Sequence, residues 1–261
     1  MAPILSRPMD ILYLLLGLGG LLLGAELAVN GSLALARRWG WPSWVTGVIL
    51  LALGTSLPEL FVSGASAPTH PDLALGAIFG SNAINVGGVL GLMLVLQAKG
   101  GIPLRQTSML ALIMLALGSV VSFWAFTSAE IAGWVGPVFL LMYLALIALS
   151  LLAGSSGPSQ GEAKAGAPSS GWSTLPRAFL VTAAGFALLA FASGWFLEGA
   201  LGIAQTLGWE AGFAGFLIAA AGTSAPEFFT SYKSMRKGYV GAVFGNVLGS
   251  NAFNLLVVGG V

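Results

Sequence analysis

The chain has 261 residues, of which 57% are hydrophobic and only 7% are charged, with 38 glycines and no cysteine. Soluble domains carry about 25% charged residues, so this composition excludes an ordinary soluble protein and is typical of a protein with several membrane-spanning helices. The net charge is +1 and no basic stripe is present, which argues against nucleic-acid binding. Because the chain has no Cys and only one His, disulfides, thiol chemistry and metal sites built from Cys or His clusters are excluded.

Hydropathy predicts eight transmembrane helices. In chain order they lie near residues 10–36, 44–67, 73–97, 106–127, 131–153, 175–205, 211–232 and 239–261. The first is longer than a signal-peptide core and is expected to be retained, and the sixth is long enough to be tilted. The segment between the fifth and sixth helices is rich in Gly, Ser, Pro and Ala, as linkers are. We therefore predict a first repeat at 1–153, a linker at 154–174 and a second repeat at 175–261.

Lysine and arginine are concentrated on one side of this predicted topology. Nine of the ten flank loops on that side, and Arg7 alone lies on the other. Because cytoplasmic loops carry the excess of positive charge, we expect the N-terminus outside and the 154–174 linker in the cytoplasm. The prediction is a multi-pass protein of the inner or plasma membrane, surrounded by lipid.

A repeat links the two halves of the chain. Gly-Thr-Ser-Leu-Pro-Glu at 54–59 returns as Gly-Thr-Ser-Ala-Pro-Glu at 222–227, and Gly-Ser-Asn-Ala-Ile-Asn at 80–85 returns as Gly-Ser-Asn-Ala-Phe-Asn at 249–254. At an offset of 168, 14 of the 33 positions from 31 to 63 are identical. Five predicted helices separate equivalent positions, and since five is odd, the second copy enters the membrane from the opposite side. This is the inverted-topology repeat of secondary transporters.

Each copy places a carboxylate and hydroxyls on one helix face. Thr55 and Glu59 are four residues apart, with Ser56 beside them, and the second copy repeats this arrangement. The proline of each motif is expected to disturb the carbonyl of its glycine, Gly54 or Gly222, and to leave that oxygen free for an ion. In the second motif, the Ser and last Asn of each copy also share a face.

A structural role is the more common one for any single Thr, Ser, Gly or Pro in a membrane helix. The expectation of a site depends on Glu59 and Glu227, because carboxylates inside a membrane are costly and usually functional. Glu26 and Glu198 are further acids in predicted helices, each expected either in a hydrated vestibule or near the membrane interface.

Carboxylate, hydroxyl, amide and carbonyl oxygens without His or Cys suit hard cations such as Ca²⁺ or Na⁺. Two carboxylates are enough to offset the charge of one Ca²⁺. Mg²⁺ fits less well, because it keeps its waters and prefers a stiffer octahedron.

These motifs resemble the two α-repeats of the cation/Ca²⁺ exchanger superfamily, sodium/calcium exchanger type, over nearly the whole chain. The resemblance implies adjacent Na⁺ and Ca²⁺ sites at the membrane midplane, built from the second, third, seventh and eighth helices, while the first and sixth slide across them. It also implies carbonyl ligands near Ala52 and Ala220. The side-chain ligands that it implies are Thr55, Ser56, Glu59, Ser81, Asn85, Thr223, Ser224, Glu227, Ser250 and Asn254.

Three departures from the family pattern stand out. Asn254 occupies a place where several members carry Asp, which leaves any involvement of H⁺ or K⁺ open. Ala77 stands where the second copy has Asn246, so the halves are not fully symmetric. The predicted helices form a five-plus-three arrangement where the family has five plus five, so a C-terminally shortened chain is expected.

The sequence therefore predicts an antiporter that exchanges Ca²⁺, or a related divalent cation, for Na⁺ by alternating access. No enzymatic activity, no cofactor and no obligate protein partner are expected, since Ca²⁺ and Na⁺ would be bound as substrates. The alternatives are a truncated, transport-incompetent fragment or partner subunit, a Glu-lined channel, and, with less support, an intramembrane enzyme.

Overall fold

The structure is a computed structural model, and it describes residues 8–57, 59, 60, 63, 71–96, 116, 119, 120, 133–153, 174–206 and 221–260. Within these residues all regular elements are helical, which confirms the predicted all-α fold. We label the helices α1 (Pro8–Trp39), α2 (Ser43–Thr55), α3 (Pro71–Ala83, Ile84–Leu90 and Gly91–Leu96), α4 (Val135–Ala153), α5 (Leu175–Thr206), α6 (Ala225–Arg236) and α7 (Val240–Leu256), the last followed by a 3₁₀ turn at Val258–Gly260.

Four stretches of the described helices are long and apolar enough to cross a membrane: Pro8–Trp39, Ile78–Leu96, Val135–Leu152 and Leu175–Ile203. Helices suit this environment because they satisfy their backbone hydrogen bonds internally. The predicted 106–127 helix, apart from residues 116, 119 and 120, lies outside the described residues, as do residues 154–173 of the linker and residues 211–220. The division of the chain at this linker therefore stays a prediction.

Helices α1 and α5 form a closely packed pair. Glycines at seven-residue intervals on α1, Gly17, Gly24 and Gly31, face α5, where an added Cβ would collide with Phe196, Leu189 and Thr182 respectively. Small residues at a helix interface let the two backbones approach closely. The opposite face of α1 exposes leucines such as Leu15 and Leu23, as expected for contact with lipid.

Helix α7 lies at the centre of the remaining helices and is buried along nearly its whole length. Its apolar side packs with α2 and α4 in a core that includes Val48, Phe139, Leu146 and Leu256. Gly47 of α2 lies against Gly245 of α7, where a Cβ on either residue would meet the other helix's backbone. This backbone-to-backbone contact brings the polar ends of α2 and α7 within hydrogen-bonding range.

The helices predicted at 44–67 and 211–232 are not continuous, which corrects that part of the prediction. Helix α2 ends at Thr55, and Ser56 leaves the helical conformation at φ −89° and ψ 6°, after which Leu57, Glu59, Leu60 and Ser63 are again helical. Ser224, the equivalent residue, has φ −81° and ψ 0° and precedes α6. In the second copy, Pro226 lies in the first turn of α6. Proline is common at this position because its missing N–H is not needed there, so the proline marks the start of a new helix. Pro58 lies outside the described residues.

Two π-helical segments lie next to or within the motifs of the first repeat. They are Gly47–Leu51 in α2 and Ile84–Leu90 in α3, the second of which contains Asn85. Such wide turns are rare and frequently occur at functional sites. In the second repeat, Asn254 lies instead in the regular α-helix α7.

Candidate functional site

Eight of the ten predicted ligand residues contact another member of the set near the two helix interruptions, in the interior of the described structure. They are Thr55, Ser56, Glu59, Ser81, Ser224, Glu227, Ser250 and Asn254. Nine of the ten side chains are at most 2% exposed, and Thr223 is partly buried. They come from the two interrupted segments and from α3 and α7. The second, third, seventh and eighth predicted helices, which the resemblance implies for the site, therefore lie together.

The carboxylate of Glu227 receives a hydrogen bond from the other repeat. Ser56 Oγ donates to Glu227 Oε1 at 3.0 Å, so the hydroxyl at the first interruption contacts the acid beyond the second. Glu227 lies in the first turn of α6. The positive end of the helix dipole stabilises a negative charge at this position.

A second chain of hydrogen bonds leads to Glu59. Ser81 Oγ donates to Glu59 Oε1 at 3.2 Å. Because a hydroxyl has one proton, Ser81 then accepts from its two other neighbours, the Ser224 hydroxyl at 2.9 Å and Asn254 Nδ2 at 3.4 Å. Ser81 thus uses its donor and both lone pairs, and it connects α3 with α7 and with the second interruption.

Thr55 joins the end of α2 to α7. Its Oγ1 lies 3.0 Å from the carbonyl of Leu51, 3.3 Å from Ser250 Oγ and 3.4 Å from Asn246 Oδ1. The short bond to Leu51 is the local back-bond that Thr commonly makes in a helix. The longer contacts hold the two repeats together beside the carboxylates.

Several oxygens of the site have no hydrogen-bond partner among the described residues. They are Glu59 Oε2, Glu227 Oε2, Asn85 Oδ1 and Asn254 Oδ1. A buried acceptor without a partner costs about 1–3 kcal/mol, and more when it is charged. The two carboxylates are also close enough to repel each other, and the bonds to their Oε1 atoms come from neutral hydroxyls. A bound cation would offset both costs.

The donor set fits a hard cation rather than a transition metal. The described residues contain no group of three or more His, Cys, Asp or Glu that could hold a metal ion. A cation here would therefore take two carboxylates and complete its shell with hydroxyl, amide or carbonyl oxygens, which is the ligand type that Ca²⁺ and Na⁺ accept.

Asn246 is a central residue that the sequence did not identify as functional. Its Nδ2 contacts the Glu227 carbonyl at 3.2 Å and the hydroxyls of Thr230 and Ser231 at 3.0 Å each. Its Oδ1 lies 3.4 Å from Thr55 Oγ1 and shares that hydroxyl's single proton with the Leu51 carbonyl. One amide thus braces the ligand segments of both repeats. The available signal was the asymmetry of the repeat, since the first copy has Ala77 at this position.

The Gly222 carbonyl, which was expected to be free, accepts one hydrogen bond. Ser193 Oγ, on α5, donates to the Gly222 oxygen at 2.7 Å. A carbonyl exposed by a helix interruption inside a membrane must find another partner, and here a neighbouring helix supplies it. Ala52 O accepts from Ser56 N at 3.1 Å, and Ala220 lies outside the described residues.

The two additional intramembrane acids lie outside this site. Glu26 forms ion pairs with Lys237 at 2.6 Å and Lys233 at 3.1 Å and accepts from Asn30 at 2.9 Å, with 34% of its side chain exposed. It therefore lies at the lysine-rich end of α6. Glu198 is exposed on α5.

The chain is similar to known cation exchangers over most of its length. The family model described as sodium/calcium exchanger protein matches residues 9–152 and 177–261. An uncharacterized membrane protein of Methanocaldococcus jannaschii is 30% identical over 241 residues, covering 92% of this chain and 76% of that protein. The sodium/calcium exchanger MaX1 of Methanosarcina acetivorans is 26% identical over 287 residues, covering 97% and 82%.

Among solved structures, the sodium-calcium exchanger NCX_Mj soaked with 10 mM Na⁺ and zero Ca²⁺ matches with a TM-score of 0.80 at 26% identity. The match covers 97% of this chain and 82% of that one. The family model, the relatives and the fold agree with the resemblance carried by the two motifs and with a multi-pass membrane protein. The chain belongs to the sodium/calcium exchanger family.

Proposed function

We propose that the chain is a secondary active antiporter that exchanges Ca²⁺, or a related divalent cation, for Na⁺ across the membrane. The observation that carries the proposal is the set of unpartnered oxygens around Glu59 and Glu227. Two buried carboxylates surrounded by neutral oxygens are stabilised in their charged form by a bound cation, and a site formed by two repeats suits release to either side. Among the relatives, MaX1 and NCX_Mj are named as sodium/calcium exchangers.

In this proposal the side-chain ligands are the ten residues of the two motifs. Glu59 and Glu227 supply the charge, Asn85 and Asn254 supply amide oxygens, and the hydroxyls of both repeats complete the coordination. One Ca²⁺ neutralises the two carboxylates. Na⁺ ions at overlapping oxygens do the same, so the two cations compete and cannot occupy the site together. This competition couples their movements.

Alternating access requires one group of helices to move against another. The proposed moving unit is the α1–α5 pair, whose glycine-lined interface holds the two helices together. The proposed fixed unit contains α2, α3, α6 and α7, which share the hydrogen bonds of the site. The N-terminus lies outside and the 154–174 linker in the cytoplasm, with lipid around the exposed leucines.

No resident cofactor, enzymatic activity or obligate protein partner belongs to the proposal, and Ca²⁺ and Na⁺ are substrates. Asn254 carries no charge and so offers no ionisable group for H⁺ or K⁺ as an additional counter-ion. No contact in the described structure favours the alternative of a transport-incompetent fragment or partner subunit.

The test is Na⁺-gradient-driven uptake of ⁴⁵Ca²⁺ into proteoliposomes. Glu59→Gln and Glu227→Gln each remove one charge and keep the side-chain shape, so we expect flux to fall to background while the protein stays folded. Glu198→Gln is the matched control, because it neutralises an exposed acid on α5 outside the site, and it should retain flux.

Wild-type flux in both site variants would overturn the proposal. Ca²⁺ flux in wild-type protein without any Na⁺ requirement would indicate a channel instead. A wild-type protein that binds Ca²⁺ but carries no flux would support the transport-incompetent alternative.

A further inference from the structure

Two asparagines in the second motif form a reciprocal pair across the repeats. Asn82 Nδ2, on α3, donates to the backbone carbonyl of Asn251 at 3.3 Å, and Asn251 Nδ2, on α7, donates to the backbone carbonyl of Asn82 at 3.1 Å. The residues are 169 positions apart and are equivalent in the two copies of Gly-Ser-Asn. The pair therefore lies where the symmetry relating the two repeats maps α3 onto α7.

Neither asparagine is among the proposed cation ligands. Both side chains direct their N–H groups to backbone oxygen, and a carbonyl can accept this second bond because it has two lone pairs. The amide is uncharged and long enough to reach the neighbouring helix, which explains why this position carries Asn in both copies. Asn251 is only 3% exposed.

The position of the pair ties it to the site. Asn82 directly follows Ser81, and Asn251 directly follows Ser250, so each carbonyl that accepts a cross-helix bond is one residue from a proposed ligand. The contact between Asn254 Nδ2 and Ser81 Oγ crosses the same interface and is already long at 3.4 Å. A small slide of α3 along α7 would break this contact and shift both serines relative to the carboxylates.

We propose that Asn82 and Asn251 are positioning residues whose reciprocal bonds fix the register of α3 against α7 and thereby set the geometry of the cation site. This inference depends on the proposed exchange function. It assigns a role to the third residue of the Gly-Ser-Asn motif, which is not among the proposed ligands. Because the bonds are reciprocal, loss of either amide disturbs ligands of both repeats.

The experiment measures the KM for Ca²⁺ and the maximal rate of Na⁺-driven ⁴⁵Ca²⁺ uptake for Asn82→Ala, Asn251→Ala and the double variant. We expect each single change to raise KM by about 3- to 10-fold, the effect of one hydrogen bond between membrane helices. The maximal rate at saturating Ca²⁺ should stay within about twofold, because no ligand is removed. Asn30→Ala is the matched control: it removes an amide that bonds to Glu26 outside the site and should leave KM unchanged.

Thermal unfolding, followed by the fluorescence of the eight tryptophans, separates positioning from general stability. The Ca²⁺ concentration that half-maximally raises the unfolding midpoint should increase with KM in the asparagine variants. If the alanine variants do not fold, Asn82→Ser and Asn251→Ser decide, since a hydroxyl can bond to its own helix but is too short for the cross-helix bond.

The inference would be overturned if folded asparagine variants kept both the wild-type KM and the wild-type Ca²⁺ concentration for half-maximal stabilisation. An equal rise in KM for Asn30→Ala would also overturn it, as would serine variants that do not fold. A wild-type protein that binds Ca²⁺ but shows no exchange would refute the proposed function alone. The Ca²⁺ dependence of thermal unfolding would then still test the role of Asn82 and Asn251. A wild-type protein that neither binds nor transports Ca²⁺ would refute both.

Discussion

The contact between α2 and α7 at Gly249 allows a prediction whose size follows from the structure. In Gly249→Ala the new methyl would lie 2.7 Å from the Cβ of Ala52 and 2.9 Å from the Cα and carbonyl oxygen of Val48. Non-bonded carbon atoms stay about 3.5–4.0 Å apart, so the two helices must separate by about 0.8 Å. None of the opposing atoms can rotate away, because they are backbone atoms or a Cβ.

This separation also reaches the site. The bonds of Thr55 to Ser250 and Asn246 are already 3.3 and 3.4 Å long, and an increase of about 0.8 Å would break both. Overpacking costs about 1–3 kcal/mol, the two lost bonds about 0.6 kcal/mol each, and the better helix propensity of Ala returns about 1 kcal/mol. We expect a net loss of about 1–3 kcal/mol in stability and a higher KM for Ca²⁺.

The assay combines equilibrium unfolding in detergent with ⁴⁵Ca²⁺ uptake in proteoliposomes. Gly194→Ala is the matched control, because no heavy atom lies within 4 Å of a Cβ added there, and it should be as stable as wild type or more so. If Gly249→Ala matched wild type in both stability and KM, the proposed close packing of α2 on α7 as the support of the site would be refuted.

Two further predictions concern residues around the site. Asn246→Ala should destabilise the protein by at least about 2 kcal/mol, because it removes the two N–H donors that the Glu227 carbonyl and two buried hydroxyls share; a smaller loss in equilibrium unfolding than for Asn30→Ala would contradict this role. Glu26→Gln should lower the free energy of unfolding by about 0.5–2 kcal/mol, the sum expected for two partly exposed ion pairs. That loss should shrink at high salt, and a loss independent of salt would show that the ion pairs are not its cause.

The repeat is the part of the site that the sequence predicted well. A carboxylate, two hydroxyls and an amide recur at fixed spacing in both copies, which predicts equivalent positions in the two repeats. Helix periodicity does not relate Thr55 to Glu59, because the helix breaks at Ser56 between them. The interruptions at Ser56 and Ser224 were missed as breaks because hydropathy averages over a window of residues. One proline in the first turn of a new helix barely changes the averaged hydropathy. The apolar pattern therefore continues across the break between the two helices.

The contacts that cross between helices could not be predicted from the sequence. A single Asn246 in an apolar helix has no periodic signal, and its four partners come from two repeats. Ser193 is 29 residues from Gly222, and Glu26 is 211 residues from Lys237, so neither pairing follows from local spacing. These bonds depend on which helices pack together, and packing depends on glycine contacts such as Gly47 on Gly245 that only the folded structure reveals.

The central claim is that Ca²⁺ and Na⁺ compete for one set of oxygens around Glu59 and Glu227. Isothermal titration of the purified protein with Ca²⁺, in Na⁺ and in choline at equal ionic strength, tests it directly. If the two cations compete, the apparent Kd for Ca²⁺ rises steadily with Na⁺ concentration, and Glu227→Gln abolishes the heat of binding. A Kd that is the same in Na⁺ and in choline would contradict it.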